Sequence, residues 1–141
     1  MSKVQNPFLT ASGDELPTQY DRAPEYDGFI EERDILVRMR DGVHISVDVY
    51  RPDTKEKLPA LLAFAIYNKD LQGPDVAEAL TPQPSWSALW TGWLEAGDTR
   101  FLTSRGYIHV IGAPRAIGKS EGGGSREFDS YDLIEWIAKQ P

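Results

Sequence analysis

From Ile35 to Tyr50 apolar and polar positions alternate with a period of two, interrupted at Asp41-Gly42. Ile35, Val37 and Met39 take one side and Leu36, Arg38 and Arg40 the other. Past the interruption Val43, Ile45, Val47 and Val49 alternate with His44, Ser46, Asp48 and Tyr50. A period of two puts successive side chains on opposite faces of a strand, and Asp-Gly suits a tight turn, so the pattern predicts a β-hairpin. Each strand is expected to give one face to a core and the other to solvent or a partner. Pro52 ends the second strand, because proline has no ladder donor.

Residues 58–66 are apolar almost without a break, which predicts a strand covered on both faces, as in a parallel sheet. Residues 68–97 form a long connection containing Pro74, Pro82, Pro84, Trp86, Trp90 and Trp93; so many aromatics point to packed loop structure. Asp98 is placed to cap a short helix over 99–105, with Gly106 as its stop. A strand over 107–111 and a Gly-rich loop over 112–125 lead to an amphipathic helix over 128–139. On that helix Phe128, Tyr131, Ile134 and Ala138 share one side, with Leu133 and Ile137 nearby, and Asp129, Asp132, Glu135 and Lys139 lie opposite. Hairpin followed by strand–helix–strand–helix reads as an α/β fold, an antiparallel edge leading into parallel strands. Residues 1–29, polar and carrying Pro7, Pro17 and Pro24, read as an N-terminal arm; residues 30–141 read as the domain, with a further strand expected to follow.

Composition narrows the function. With 141 residues, 40% of them hydrophobic, the chain can bury a core. A net charge of −7 and no basic cluster argue against a nucleic-acid partner. The absence of cysteine excludes disulfides, thiolate metal sites and Cys nucleophiles. No apolar run approaches the roughly 18 residues of a membrane span, and no signal segment opens the chain, so no membrane partner and a cytoplasmic location are expected by default.

The loop holds Gly118-Lys119-Ser120-Glu121-Gly122, a literal Gly-x-Ser-x-Gly. A nucleophile elbow needs its Ser at a sharp turn from strand into helix. Ser120 lies well past the strand, glycines follow where a helix should begin, and both histidines, His44 and His109, precede it. Ser120 therefore reads as part of a structural loop. Residues 113–120 also approximate the phosphate-binding G-x-x-x-x-G-K-[ST], with Ala113 replacing the first Gly. Such a loop needs a helix starting at Lys119-Ser120, and three glycines there disfavour one. A nucleotide-binding module using Gly118-Lys119-Ser120 stays open as an alternative. His109, between Tyr107 and Ile111 on an apolar strand, reads as a hydrogen-bonded core histidine. His44 lies on the polar side of the hairpin. No metal or cofactor is assigned.

These residues together resemble a family. Arg38-Met39-Arg40-Asp41-Gly42-Val43 with Val49-Tyr50-Arg51-Pro52, then Tyr67-Asn68-Lys69-Asp70, then Arg105-Gly106-Tyr107, then Arg115-Ala116-Ile117-Gly118-Lys119-Ser120-Glu121-Gly122, then the helix ending Gln140-Pro141, follow in the order of a known pattern. They are similar to the N-terminal part of the cocaine-esterase-like and X-Pro dipeptidyl-peptidase-like α/β-hydrolases, the CocE/NonD group. Ala113 stands where that family usually has Asp, Ala116 where it usually has Gly, and Ile66 where it usually has Pro.

The resemblance implies a serine hydrolase cleaving ester or amide bonds of small-molecule or peptide substrates. It also implies that the nucleophilic Ser, the Asp and the His lie beyond Pro141, leaving these 141 residues inactive alone. Of the family's chemical groups Tyr67 is present, at the position of the tyrosine that helps hold the oxyanion. Taken by itself Tyr67 reads as an ordinary strand-end tyrosine packing on the Trp-rich connection. A non-catalytic truncated remnant is the remaining alternative.

Overall fold

The computed structural model describes residues 23–76 and 95–141; Trp86, Trp90 and Trp93 and most of the N-terminal arm lie outside the described residues. Four strands, β1 (Ile30–Arg38), β2 (His44–Arg51), β3 (Ala60–Ala63) and β4 (Ile108–Gly112), form one sheet in the order β1-β2-β4-β3. β1 and β4 both run antiparallel to β2, and β3 runs parallel to β4. Two helices accompany them, α1 (Thr99–Ser104) and α2 (Asp129–Ala138). The mixed α/β sheet is the one the pattern of elements implies.

The hairpin turns where expected. Gly42 takes a φ of 90°, a value L side chains resist, and its N–H donates to the Met39 carbonyl at 2.9 Å. β1 begins at Ile30, earlier than the alternation suggests, because a bulge between Glu32 and Ile35 breaks the period. At that bulge Asp34 has a φ of 59°, and its N–H donates to Asp48 Oδ1 at 2.8 Å in place of a ladder bond.

β2 is buried on both faces from Ile45 to Tyr50, where the alternation allowed one face for solvent. Its central place in the sheet explains this. Ile45, Val47 and Val49 join Val37, Met39, Val110 and Leu133 in the larger core, under α2. Ser46, Asp48 and Tyr50 point to the other side, where Ile111, Ala96 and the buried His109 lie and α1 packs on β4 and β2.

β3 differs from expectation in the opposite sense. It has four residues, ends the sheet among the described residues, and leaves Leu61 half-exposed, so it is not covered on both faces. Asp98 caps α1 as expected, accepting the Phe101 N–H at 3.1 Å.

The buried face of α2 also departs from the sequence reading. Leu133, Trp136 and Ile137 pack on the core, whereas Phe128, Tyr131 and Ile134 are exposed. Asp129, expected in solvent, is 2% exposed. The cause is Arg115, itself buried, whose Nε and Nη2 donate to Asp129 at 2.8 and 2.6 Å. That bidentate pair draws the first turn of the helix inward and rotates the aromatic row outward. There the Arg40 guanidinium covers Phe128 at 4.1 Å from the ring centre and bonds Asp132 at 2.7 Å.

Candidate active site

Because β3 and β4 are parallel, their carboxyl ends lie together, at Ala63 and Gly112. Open α/β sheets bind ligands outside that end. Two segments leave it: the stretch through Tyr67 into a 3-10 turn at Lys69–Leu71, and the Gly-rich loop. Asn68 starts the turn, its Oδ1 accepting the Asp70 N–H at 3.1 Å.

Tyr67 stands four residues past Ala63, the last paired position of β3, with 36% of its surface exposed. A phenol placed there can offer its O–H to a ligand over the sheet's carboxyl end. Two residues on, Lys69 is wholly enclosed. Its ammonium lies 2.7 Å from Asp34 Oδ1, 2.8 Å from Asp48 Oδ1 and 2.9 Å from Asp70 Oδ1. Burial by itself would push the ammonium's pKa down; the carboxylates outweigh burial and hold it above the ordinary lysine value. Asp34 is shared, since its second oxygen pairs with Lys119. Hydrogen bonds from Lys119 and then Lys69 draw the Asp34 carboxyl down to about 2.

Ser120 is a structural residue, as its distance from the strand implied. It is buried, its hydroxyl donates to the Ala113 carbonyl at 2.7 Å, and it accepts the Ser46 N–H at 2.9 Å. No helix begins at Lys119-Ser120, since α2 starts at Asp129, and the Lys119 ammonium is turned to Asp34. The loop therefore has neither the elbow nor the phosphate-cradle geometry.

The histidines are occupied too. His109 Nδ1 lies 2.9 Å from Thr99 Oγ1, and burial lowers its pKa to about 4, so it is a neutral core residue. His44 Nδ1 lies 3.0 Å from Glu121, whose carboxylate also accepts the His44 N–H at 2.7 Å.

A cavity of about 740 Å³ opens elsewhere, lined by Leu58, Ala60, Ile108, Val110, Trp136 and Ile137 among others. It sits at the amino ends of β3 and β4, the far end of the sheet from Tyr67, and takes no part in the site. Among the described residues no group of His, Cys, Asp and Glu is arranged to hold a metal ion, and no helix is long and apolar enough to cross a membrane.

What sequence reasoning missed is the enclosure of Lys69. The pattern marked Tyr67-Asn68-Lys69-Asp70 as a segment, but its partners Asp34 and Asp48 are remote in sequence. The one local signal was Asp70, next to Lys69 in the chain.

The mixed sheet ordered β1-β2-β4-β3, with helices beside it, is of the α/β-hydrolase type, as the solved structures that it resembles show. Residues 41–141 match the X-Pro dipeptidyl-peptidase (S15) family, and the chain belongs to that family. It is 36% identical over 110 residues to the cocaine esterase of Rhodococcus sp. (strain MB1 Bresler), covering 75% of this chain and 16% of that protein. A CocE/NonD family hydrolase from Staphylococcus aureus superposes with a TM-score of 0.60 at 30% identity, over 79% of this chain and 21% of that one. An α-amino acid ester hydrolase shares the fold at a TM-score of 0.56 and 20% identity, over 99% of this chain and 22% of that one. The chain thus spans about one sixth of the curated relative and about one fifth of these structures.

Proposed function

We propose that these residues form the oxyanion-binding part of a serine hydrolase that cleaves ester or amide bonds, acyl or X-Pro dipeptidyl, through an acyl-enzyme. The observation that carries this reading is the place of Tyr67: a partly exposed phenol just past the carboxyl end of β3, a strand whose outer edge has no neighbour among the described residues.

Attack on an acyl carbonyl places negative charge on its oxygen. An O–H fixed in advance stabilises that charge more than it stabilises the substrate, which lowers the barrier. In this reading the nucleophilic Ser comes on a strand pairing with the open edge of β3, so that both reacting groups meet at one end of the sheet. The Ser, Asp and His of the triad are supplied from outside these 141 residues. The engaged hydroxyl of Ser120 and the occupied rings of His44 and His109 support that assignment.

The test is hydrolysis of a p-nitrophenyl ester by the complete protein. Tyr67→Phe is expected to lower kcat by about 10²–10³ with little change in KM. Unchanged turnover removes Tyr67 from the mechanism. Residues 1–141 alone are expected to show no hydrolysis above background, and an activity that Ser120→Ala abolishes would return the nucleophile to the loop.

A further inference from the structure

The Gly118-Lys119 part of the loop, which matched two motifs and serves neither, lies against the turn that carries Tyr67. We infer that Lys69, Gly118 and Lys119 are positioning residues: they brace the turn at 68–71 from both sides and so fix where the Tyr67 hydroxyl can reach. The inference rests on the oxyanion reading of Tyr67, and its test separates the two.

The brace has an inner and an outer half. On the inside, the Lys69 ammonium gathers Asp34 from the β1 bulge, Asp48 from the middle of β2 and Asp70 from its own turn, with no side-chain surface exposed. Three anchors from different directions leave the segment little freedom to slide along the sheet. On the outside, Lys119 bonds the other oxygen of Asp34, tying the Gly-rich loop to the same carboxylate. Gly118 completes the contact. A Cβ at this position would stand 2.7 Å from Asn68 Oδ1, the atom that caps the turn by accepting the Asp70 N–H. Only a residue without a side chain lets the loop close on the cap.

About a third of the Tyr67 surface is exposed, so covering of its ring leaves part of its placement to the backbone. That part is inherited from the turn at residue 68 onward. Oxyanion stabilisation depends on sub-ångström placement of the donor, and misplacement by about 1 Å can cost about 10²-fold in rate. The brace therefore acts on turnover through Tyr67.

The experiment is a set of double-mutant cycles in the complete protein with p-nitrophenyl acetate. Lys69→Met, Gly118→Ala and Lys119→Met are each expected to lower kcat by about tenfold or more while KM changes little. Made in a Tyr67→Phe background, they should cost almost nothing further, since the group they position is already gone. Lys119→Arg should recover most of the Lys119→Met loss. Equal losses with and without the Tyr67 hydroxyl, or losses confined to KM, would overturn the inference. If Lys69→Met fails to fold, Gly118→Ala and Lys119→Met carry the cycles.

Tyr67→Phe without effect refutes the oxyanion reading instead, and amide hydrogen exchange then decides the brace by itself. Exchange at residues 68–72 should quicken in Gly118→Ala and Lys119→Met while β1 and β2 stay protected. Unchanged exchange at the turn would show that the loop does not hold it.

Discussion

Among the described residues two buried cations tie separate elements together, and they do it differently. Lys69 collects three carboxylates from separate elements around one point charge. Arg115 lays its planar fork between two: Asp129 at the start of α2, at 2.6 and 2.8 Å, and Asp41 in the hairpin turn, at 2.7 and 3.0 Å, with the Gly123 carbonyl at 2.7 Å. An ammonium has no preferred plane and suits partners that converge from different directions; a guanidinium suits carboxylates that meet it edge-on. The lysine sits beside the candidate oxyanion donor, and the arginine joins hairpin, loop and helix on the other side of the Gly-rich loop. One is buried beside Tyr67 and the other ties the frame together.

The sharpest way to break this comparison is to replace the cation at each centre. Lys69→Met leaves three carboxylates facing each other around an enclosed space, and is expected to cost about 3–5 kcal/mol of folding stability. Arg115→Lys keeps the charge and gives up the two-pronged bonds, for a smaller loss of about 1–3 kcal/mol. Urea unfolding of the two variants beside the parent measures both. If Arg115→Lys proves the costlier change, the hierarchy between the two centres is reversed.

Acid should loosen the lysine centre. The Asp34 carboxyl, held at about 2 in the folded protein, lies below its ordinary value near 4 when unfolded. A carboxylate with a depressed folded pKa contributes stability that is fully present above the unfolded pKa and is lost as pH falls through the folded one. Stability should therefore decline from about pH 4 down to about pH 2, and Asp34→Asn should flatten that part of the curve. A profile identical in the two proteins would show that Asp34 does not titrate with folding.

The smallest effect is expected next to the arginine. Ala116 has a φ of 63°, in the left-handed region that favours Gly. Its backbone keeps the loop conformation despite the Cβ, which costs on the order of 1 kcal/mol. Ala116→Gly should raise stability by about that much, less the entropy glycine returns to the unfolded chain. A fall in melting temperature would mean that the methyl group is wanted where it stands.

Local patterns were the legible part. The hairpin at Asp41-Gly42, the Asp98 cap and the succession of strands and helices rest on residue preferences within a few positions, and each is found. The face of α2 was not legible, because Phe128, Tyr131 and Ile134 make a plausible apolar stripe until Arg115 pulls Asp129 into the interior. The width of β3 was misjudged for a related reason: an apolar run states what can be buried, and the neighbours decide how much is. At the candidate site, Tyr67 was reachable through the order of motifs, while the enclosure of Lys69 was not.

What the amino-acid order determined unaided is the set of elements and their succession, since period, turn chemistry and capping act between near neighbours. Tertiary structure alone decided which charges are inside. Asp34, Asp48 and Lys69 are 14 and 21 residues apart along the chain, and their meeting depends on sheet order and a bulge that no local preference encodes. A buried ion pair forms only when the fold brings both partners to one place and shuts out water, and that is a property of the assembled sheet.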